Sequence, residues 1–224
     1  KSFVKDPVAG LSWKLFRENL LYGLRVLYFP SIFLLLLLSC DLLIVKYYLG
    51  EKSAGYYSVA TAILNLLLLL PGVIGTLLFA KLSAISGEQV KRNYVIKVIK
   101  WLAPLMFIIL VVAALVAKQV ILTIFGPAFQ PSIPAFILLI PAIFFSSIAT
   151  IYLNYFAAIG MWAINIYSTG FVLLFNIALN LKIVPSAGIV GASYAASLSH
   201  GTLLAIVMIY SILRRKGSDD KIGK

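Results

Sequence analysis

The sequence predicts an all-α integral membrane protein with six transmembrane helices, and two observations carry that reading. Residues 26–45, 56–80, 101–117, 133–159, 166–181 and 192–213 are apolar stretches almost free of formal charge, in a chain that is 62% hydrophobic with a mean hydropathy of +1.04. A bilayer core about 30 Å thick needs roughly 20 apolar residues at about 1.5 Å rise each. Most of the stretches meet that length, and the fifth does so when it is extended from Ala163 to Val184, which adds only Lys182. The second observation is where the 19 Lys and Arg residues sit. With six spans and both termini on one side, fifteen fall on that side, and only Lys46, Lys52, Lys118 and Lys182 fall on the other. This is the bias that places the termini in the cytoplasm. The net charge of +12 therefore reports orientation and attraction to membrane lipids, and nucleic acid is not an expected partner.

Taken in order, residues 1–23 form a cytoplasmic interfacial segment. Trp13, Phe16, Leu20, Leu24 and Leu27 recur at steps of three and four, with Lys14, Arg17, Glu18 and Arg25 elsewhere, the pattern of an amphipathic helix on the membrane surface. Residues 24–213 form the six-helix transmembrane lobe. Its first outer loop runs from Gly50 to Gly55. Ser86-Gly87-Glu88 then reads as a turn, followed by a second amphipathic element with Val90, Tyr94, Val98 and Trp101 on one face and Lys91, Arg92, Lys97 and Lys100 between them. Span three has no polar side chain from Leu102 to Ala117 and is expected to be the most lipid-exposed helix. Outer loops follow at Lys118 to Ser132 and Lys182 to Gly191, and residues 214–224 form a basic cytoplasmic tail expected to be disordered. The lone Cys40 forms no internal disulfide, and no cleavable signal pattern precedes the first span. The chain opens at Lys1 without an initiator Met and is expected to be a piece of a longer protein.

Catalysis is not expected. One His, one Cys and seven acids, of which only Asp41 lies inside a span, assemble no metal cluster, triad or carboxylate pair within the membrane, so no metal or other cofactor is expected. Polar residues instead form lines on single helical faces: Ser58, Thr61, Asn65, Gly72 and Thr76; Ser146, Ser147, Thr150 and Asn154; Asn165, Thr169, Asn176 and Asn180; Ser193, Ser197 and His200. Two readings stay open for them: close helix packing with hydrogen bonds across the interface, or the wall of a water-filled passage.

Three ionisable residues stand out. Asp41 lies toward the outer end of span one, where it is either an ion-coupling group or a helix-end carboxylate reaching surface water or Lys46. His200 shares a face with Gly188, Ala192 and Ala196 and so points into protein, as a bonded neutral imidazole or as a proton-coupling group. Arg25 stands at the cytoplasmic margin, where its long side chain can reach the interface. Pro71 with Gly72 is the best hinge candidate.

Four stretches carry a resemblance. Leu49-Gly50-Glu51-Lys52-Ser53-Ala54-Gly55-Tyr56-Tyr57-Ser58, preceded by Asp41, resembles the corresponding loop of the polysaccharide biosynthesis proteins, lipid-linked oligosaccharide flippases of the multidrug/oligosaccharidyl-lipid/polysaccharide exporter superfamily. Leu78-Phe79-Ala80-Lys81, Ile124-Phe125-Gly126-Pro127-Ala128-Phe129 and Val184-Pro185-Ser186-Ala187-Gly188 are similar to later stretches in the same order, with Ala80 standing where the family usually has proline.

The resemblance implies the C-terminal lobe of a two-lobe, MATE-like flippase fold with the N-terminal lobe missing, in a multi-pass protein of the cell (cytoplasmic, inner) membrane. It also implies translocation of an undecaprenyl-diphosphate glycan by alternating access, within cell-surface polysaccharide biosynthesis, with glycan polymerases as possible partners. On that reading Asn65, Asn154 and Asn176 would line the sugar path, Arg25 would attract the diphosphate, and Asp41 or His200 would couple an ion. The alternatives are a cation-coupled multidrug antiporter of the same fold and, from another class, an integral-membrane glycan polymerase or acyltransferase.

Overall fold

A computed structural model describes residues 13–23 and 29–222. Its elements are α1 (Trp13–Gly23), α2 (Phe29–Ala84), α3 (Glu88–Ile124), a single 3-10 turn at Pro127–Phe129, α4 (Ser132–Ala158) and α5 (Trp162–Ile222). In α1, Trp13 stacks on Phe16 with centroids 5.5 Å apart, and both rings are exposed beside Leu20, as expected of a surface-lying amphipathic face. Arg25 lies outside the described residues.

Among the described residues four helices, α2 to α5, are long and apolar enough to cross a bilayer, so the chain is an all-α, multi-pass membrane protein. Two of them exceed any single crossing. The 56 residues of α2 and 61 of α5 would extend about 84 and 92 Å if straight. Each instead contains one non-helical residue, Gly50 (φ 78°, ψ 179°) and Gly188 (φ 63°, ψ −150°). Both conformations lie in a region that essentially only glycine occupies.

The chain folds back at these points. Tyr57 and Asp41 would lie about 24 Å apart on a straight helix, yet the Tyr57 hydroxyl reaches the Asp41 carboxylate at 3.2 Å. Similarly, a Cβ on Gly191 would meet the Ile183 side chain at 2.8 Å, although these residues are eight positions apart. Each long helix is thus a hairpin of two arms. Consequently the outer loops read at 50–55 and 182–191 contract to one glycine each, with Pro185 inside the helix.

The most enclosed helix is α4. It packs against α2, α3 and α5 and buries Phe136, Leu139, Ile143, Ile151 and Phe156. Small residues allow close approach: a Cβ on Gly75 would lie 2.6 Å from the Asn154 amide, one on Gly170 3.2 Å from the Phe33 ring, and one on Gly201 3.3 Å from the Phe145 ring. As the sequence implies, α3 is apolar and peripheral. It buries Leu102, Met106 and Leu110 against the bundle and exposes Leu105, Phe107, Ile108, Val112 and Leu115.

One expectation is revised: the helix of α5 continues through Ile222, into the tail expected to be disordered. The hinge candidates Pro71 and Gly72 lie inside a continuous helical arm, where Pro71 is buried and the Thr76 hydroxyl donates to the Gly72 carbonyl at 3.0 Å. The departure from helical geometry in α2 is at Gly50.

Candidate functional site: a buried carboxylate and amide cluster

Leu37, Asp41 and Val45 recur at steps of four on the buried face of the first arm of α2, so the fold that hides the two aliphatic residues also hides the carboxylate, which is 4% exposed. The second arm returns Tyr57 to it on the face that carries Ala60 and Leu64. From the first arm of α5, Asn176 and Asn180 arrive one turn apart on a wholly buried face that continues through Thr169, Val172 and Val184.

The contacts are specific. Tyr57 donates to Asp41 Oδ2 at 3.2 Å and Asn180 Nδ2 donates to Asp41 Oδ1 at 2.8 Å. The Cys40 thiol donates to Asn176 Oδ1 at 3.0 Å and lies 3.8 Å from Asp41 Oδ1. Asn180 Nδ2 also approaches the Asn176 carbonyl and Oδ1, at 3.0 and 3.2 Å.

Register explains the convergence. Asp41 stands nine residues before the turn at Gly50 and Asn180 eight before the turn at Gly188, so the two lie about 13 and 12 Å below their turns. Every partner of the carboxylate is neutral. Lys46, the cation proposed from the sequence, pairs instead with Glu51 at 3.2 Å. A carboxylate held at membrane depth by neutral donors is stabilised by taking up a proton or a small cation, because an uncompensated charge there costs about 2.5–3.5 kcal/mol or more. Two polar atoms in the cluster remain without partners among the described residues, Asn176 Nδ2 and Asn180 Oδ1. Carboxylate, amide and phenol oxygens are hard ligands suited to an alkali or alkaline-earth ion. Among the described residues no group of three or more His, Cys, Asp and Glu side chains could hold a metal.

The other sequence-derived candidates are dispersed. Asn176 belongs to this cluster. Asn154 is half-buried, donates to the Thr150 carbonyl at 2.8 Å and abuts Gly75. Asn65 lies on the exposed face of the second arm of α2, between Ala62 and Leu69. His200 is buried, as its small-residue face implied, but among the described residues Nδ1 has no partner and the ring makes no hydrogen bond to the Asp41 cluster.

Most hydroxyls on the interior faces bond back to their own helix, as Ser147 does to the Ile143 carbonyl and Thr169 to that of Asn165. Ser197 and Asn165 instead bridge from α5 to α4 through the carbonyls of Leu138 and Leu153. For α4 and α5 the packing reading of the polar lines therefore prevails. On α2, Asn65 and Thr76 are exposed, and both readings stay open there.

Sequence reading missed Tyr57, Cys40 and the link from Asn180 to Asp41. The available signal was their spacing from two glycines, which becomes informative only once both glycines are known to be turns. It also missed Arg214, which pairs with Glu88 at 2.8 Å and contacts Met161 Sδ, joining the ends of α3 and α5 to the α4–α5 turn.

Searches of curated proteins and of solved structures returned no match. The polysaccharide biosynthesis protein family matches residues 2–134, more than half of the chain, a stretch that holds α1 to α3, the Gly50 turn and the Asp41 side of the cluster. The chain is a member of the polysaccharide biosynthesis protein family.

Proposed function

We propose that this chain is one six-span lobe of a translocator that carries a lipid-linked oligosaccharide across the cytoplasmic membrane for cell-surface polysaccharide synthesis, without catalysing a covalent step. The two arms of α2, α3, α4 and the two arms of α5 supply the six crossings, with both termini cytoplasmic. The observation that carries the reading is the outer face of α2. There Ser39 on one arm and Asn65 and Thr76 on the other are exposed at membrane depth, on a surface otherwise made of leucine, valine and alanine. Facing hydrocarbon, an unpartnered amide costs several kcal/mol, so this face suits a second lobe of the same protein and a wet passage between the two. The sugar would pass along that face, and Arg25 would meet the diphosphate at the cytoplasmic entry.

Coupling fits the buried cluster. Asp41 joins the α2 hairpin to the α5 hairpin, so loading and unloading its charge biases how the two sit together. Asn176 belongs to that coupling group rather than to the sugar path, while Asn154 supports the wall from behind through Gly75. The same cluster would equally serve a cation-coupled multidrug antiporter, and the cargo separates the two readings.

The test is a flipping assay on the full-length protein in vesicles, using a fluorescent polyprenyl-diphosphate glycan and, in parallel, a cationic dye. Glycan-lipid movement that falls about tenfold in Asn65→Leu at equal protein level supports the proposal. Dye movement without glycan-lipid movement would replace it with the antiporter.

A further inference from the structure

Beside the α2–α3 turn, away from the buried cluster, lies a second built site. The second arm of α2 and α3 make little direct contact, and a groove of about 390 Å³ lies between Ile74 of α2 and one face of α3. It is lined by the apolar Ile74, Val98, Leu102 and Leu105 and by Tyr94, Lys97 and Trp101. Lys81, from the end of α2, places its ammonium 5.0 Å from the centroid of the Tyr94 ring.

Level and charge both point to one kind of occupant. Trp101 is 75% exposed at the boundary where α3 passes from a basic segment into an uninterrupted apolar one. That is the headgroup level, where tryptophan and tyrosine concentrate. Lys97 stands one turn further out, and neither it nor Lys81 is paired with an acid among the described residues, since the two ion pairs there are Lys46–Glu51 and Arg214–Glu88. An unpaired ammonium above an apolar trough matches a phosphate with a hydrocarbon chain hanging below it, and basic pockets between transmembrane helices are the recurrent form of such recognition.

We propose that this groove binds an anionic phospholipid of the adjoining leaflet, its phosphate on Lys97 and one acyl chain laid along Ile74, Leu102 and Leu105. Lys81 is held by Tyr94 as a second, more distant charge that favours lipids with a net negative headgroup. The site requires only that the chain is embedded in a bilayer, and it stands or falls independently of the cargo.

The experiment is native mass spectrometry of the delipidated full-length protein, titrated with phosphatidylglycerol and with phosphatidylcholine of identical acyl chains. Phosphatidylglycerol should bind at least fivefold more tightly. Lys97→Gln should reduce that preference about fivefold, the effect of removing one basic residue near a lipid surface, while Lys97→Arg keeps it. Ile74→Trp, which fills the trough, should weaken both lipids alike, and Lys118→Gln at the far end of α3 should change neither. Melting temperatures measured for each variant separate lost binding from lost fold, and Lys97→Arg with Ile74→Trp carry the test if Lys97→Gln does not fold. Equal affinity for the two lipids in the wild type overturns the proposal, as does an undiminished preference in Lys97→Gln. Glycerol phosphate should not compete at tenfold excess, and competition by it would mark a free-phosphate site instead.

Discussion

Asp41 is the residue on which most of the chemistry converges. Its carboxylate touches one hydroxyl, one amide and one thiol and no cation, so neutralising it by substitution should be tolerated by the fold and felt by transport. Asp41→Asn in the full-length protein should reach the membrane at wild-type level and lose any dependence of transport on sodium or on pH, measured as initial flipping rates across a sodium series and a pH series. A variant that retains the wild-type dependence removes Asp41 from coupling. His200 gives the contrasting case. Its ring makes no hydrogen bond to that cluster, and His200→Gln should change transport less than twofold while shifting melting by a few degrees through altered packing at a fully buried position. The candidacy of Asp41 was legible in the sequence because an acid within an apolar run has few innocent explanations. Its partners were not, because Tyr57 sits in what reads as a loop motif, and Asn180 lies 139 residues away, on a line shared with three other polar side chains.

The hairpins depend on glycine in two physically different ways, and substitution distinguishes them. At Gly50 a Cβ would meet nothing within 4 Å, so Gly50→Ala costs only backbone strain, of order 1–3 kcal/mol. At Gly75 the backbone is helical, and the obstacle is the Asn154 amide 2.6 Å away, so Gly75→Ala costs about 1–3 kcal/mol of overpacking. Thermal unfolding in a fixed detergent should show both losses. Adding Asn154→Ala should restore most of the stability of Gly75→Ala and none of that of Gly50→Ala, and equal rescue of the two would refute this division. The helices themselves were readable from apolar length, and the peripheral place of α3 from its lack of polar side chains. The turns were read too long, because Glu51, Lys52 and Ser53 look like loop residues, whereas here they begin the next arm on its exposed side. The polar line of α2 was legible as one helical face. Sequence spacing gives the face and leaves open which way that face turns, and Asn65 turned outward.

For the whole molecule the expected topology has the Gly50 and Gly188 turns outside and both ends of the chain inside. Single cysteines at Lys52 and Ser186 in a Cys40→Ser background, which keeps a donor to Asn176, should react in intact cells with a membrane-impermeant thiol reagent, and one at Ser218 only after permeabilisation. Labelling of Ser218 in sealed cells would invert the topology. The basic bias that motivates this expectation was visible in the sequence. The clasp of Arg214 on Glu88 was not, because its partners are separated by 126 positions. The cluster around Asp41 has a mechanical meaning as well. Its members sit at matching depths on two separate hairpins, so it works as a pin through adjoining plates. A slip of one hairpin past the other by a single helical turn, about 5.4 Å, would pull every one of its inter-hairpin bonds apart. While the pin is in, the two hairpins stay joined, so on the proposed translocation reading the motion that exchanges inside for outside falls at the face of α2 that bears Asn65.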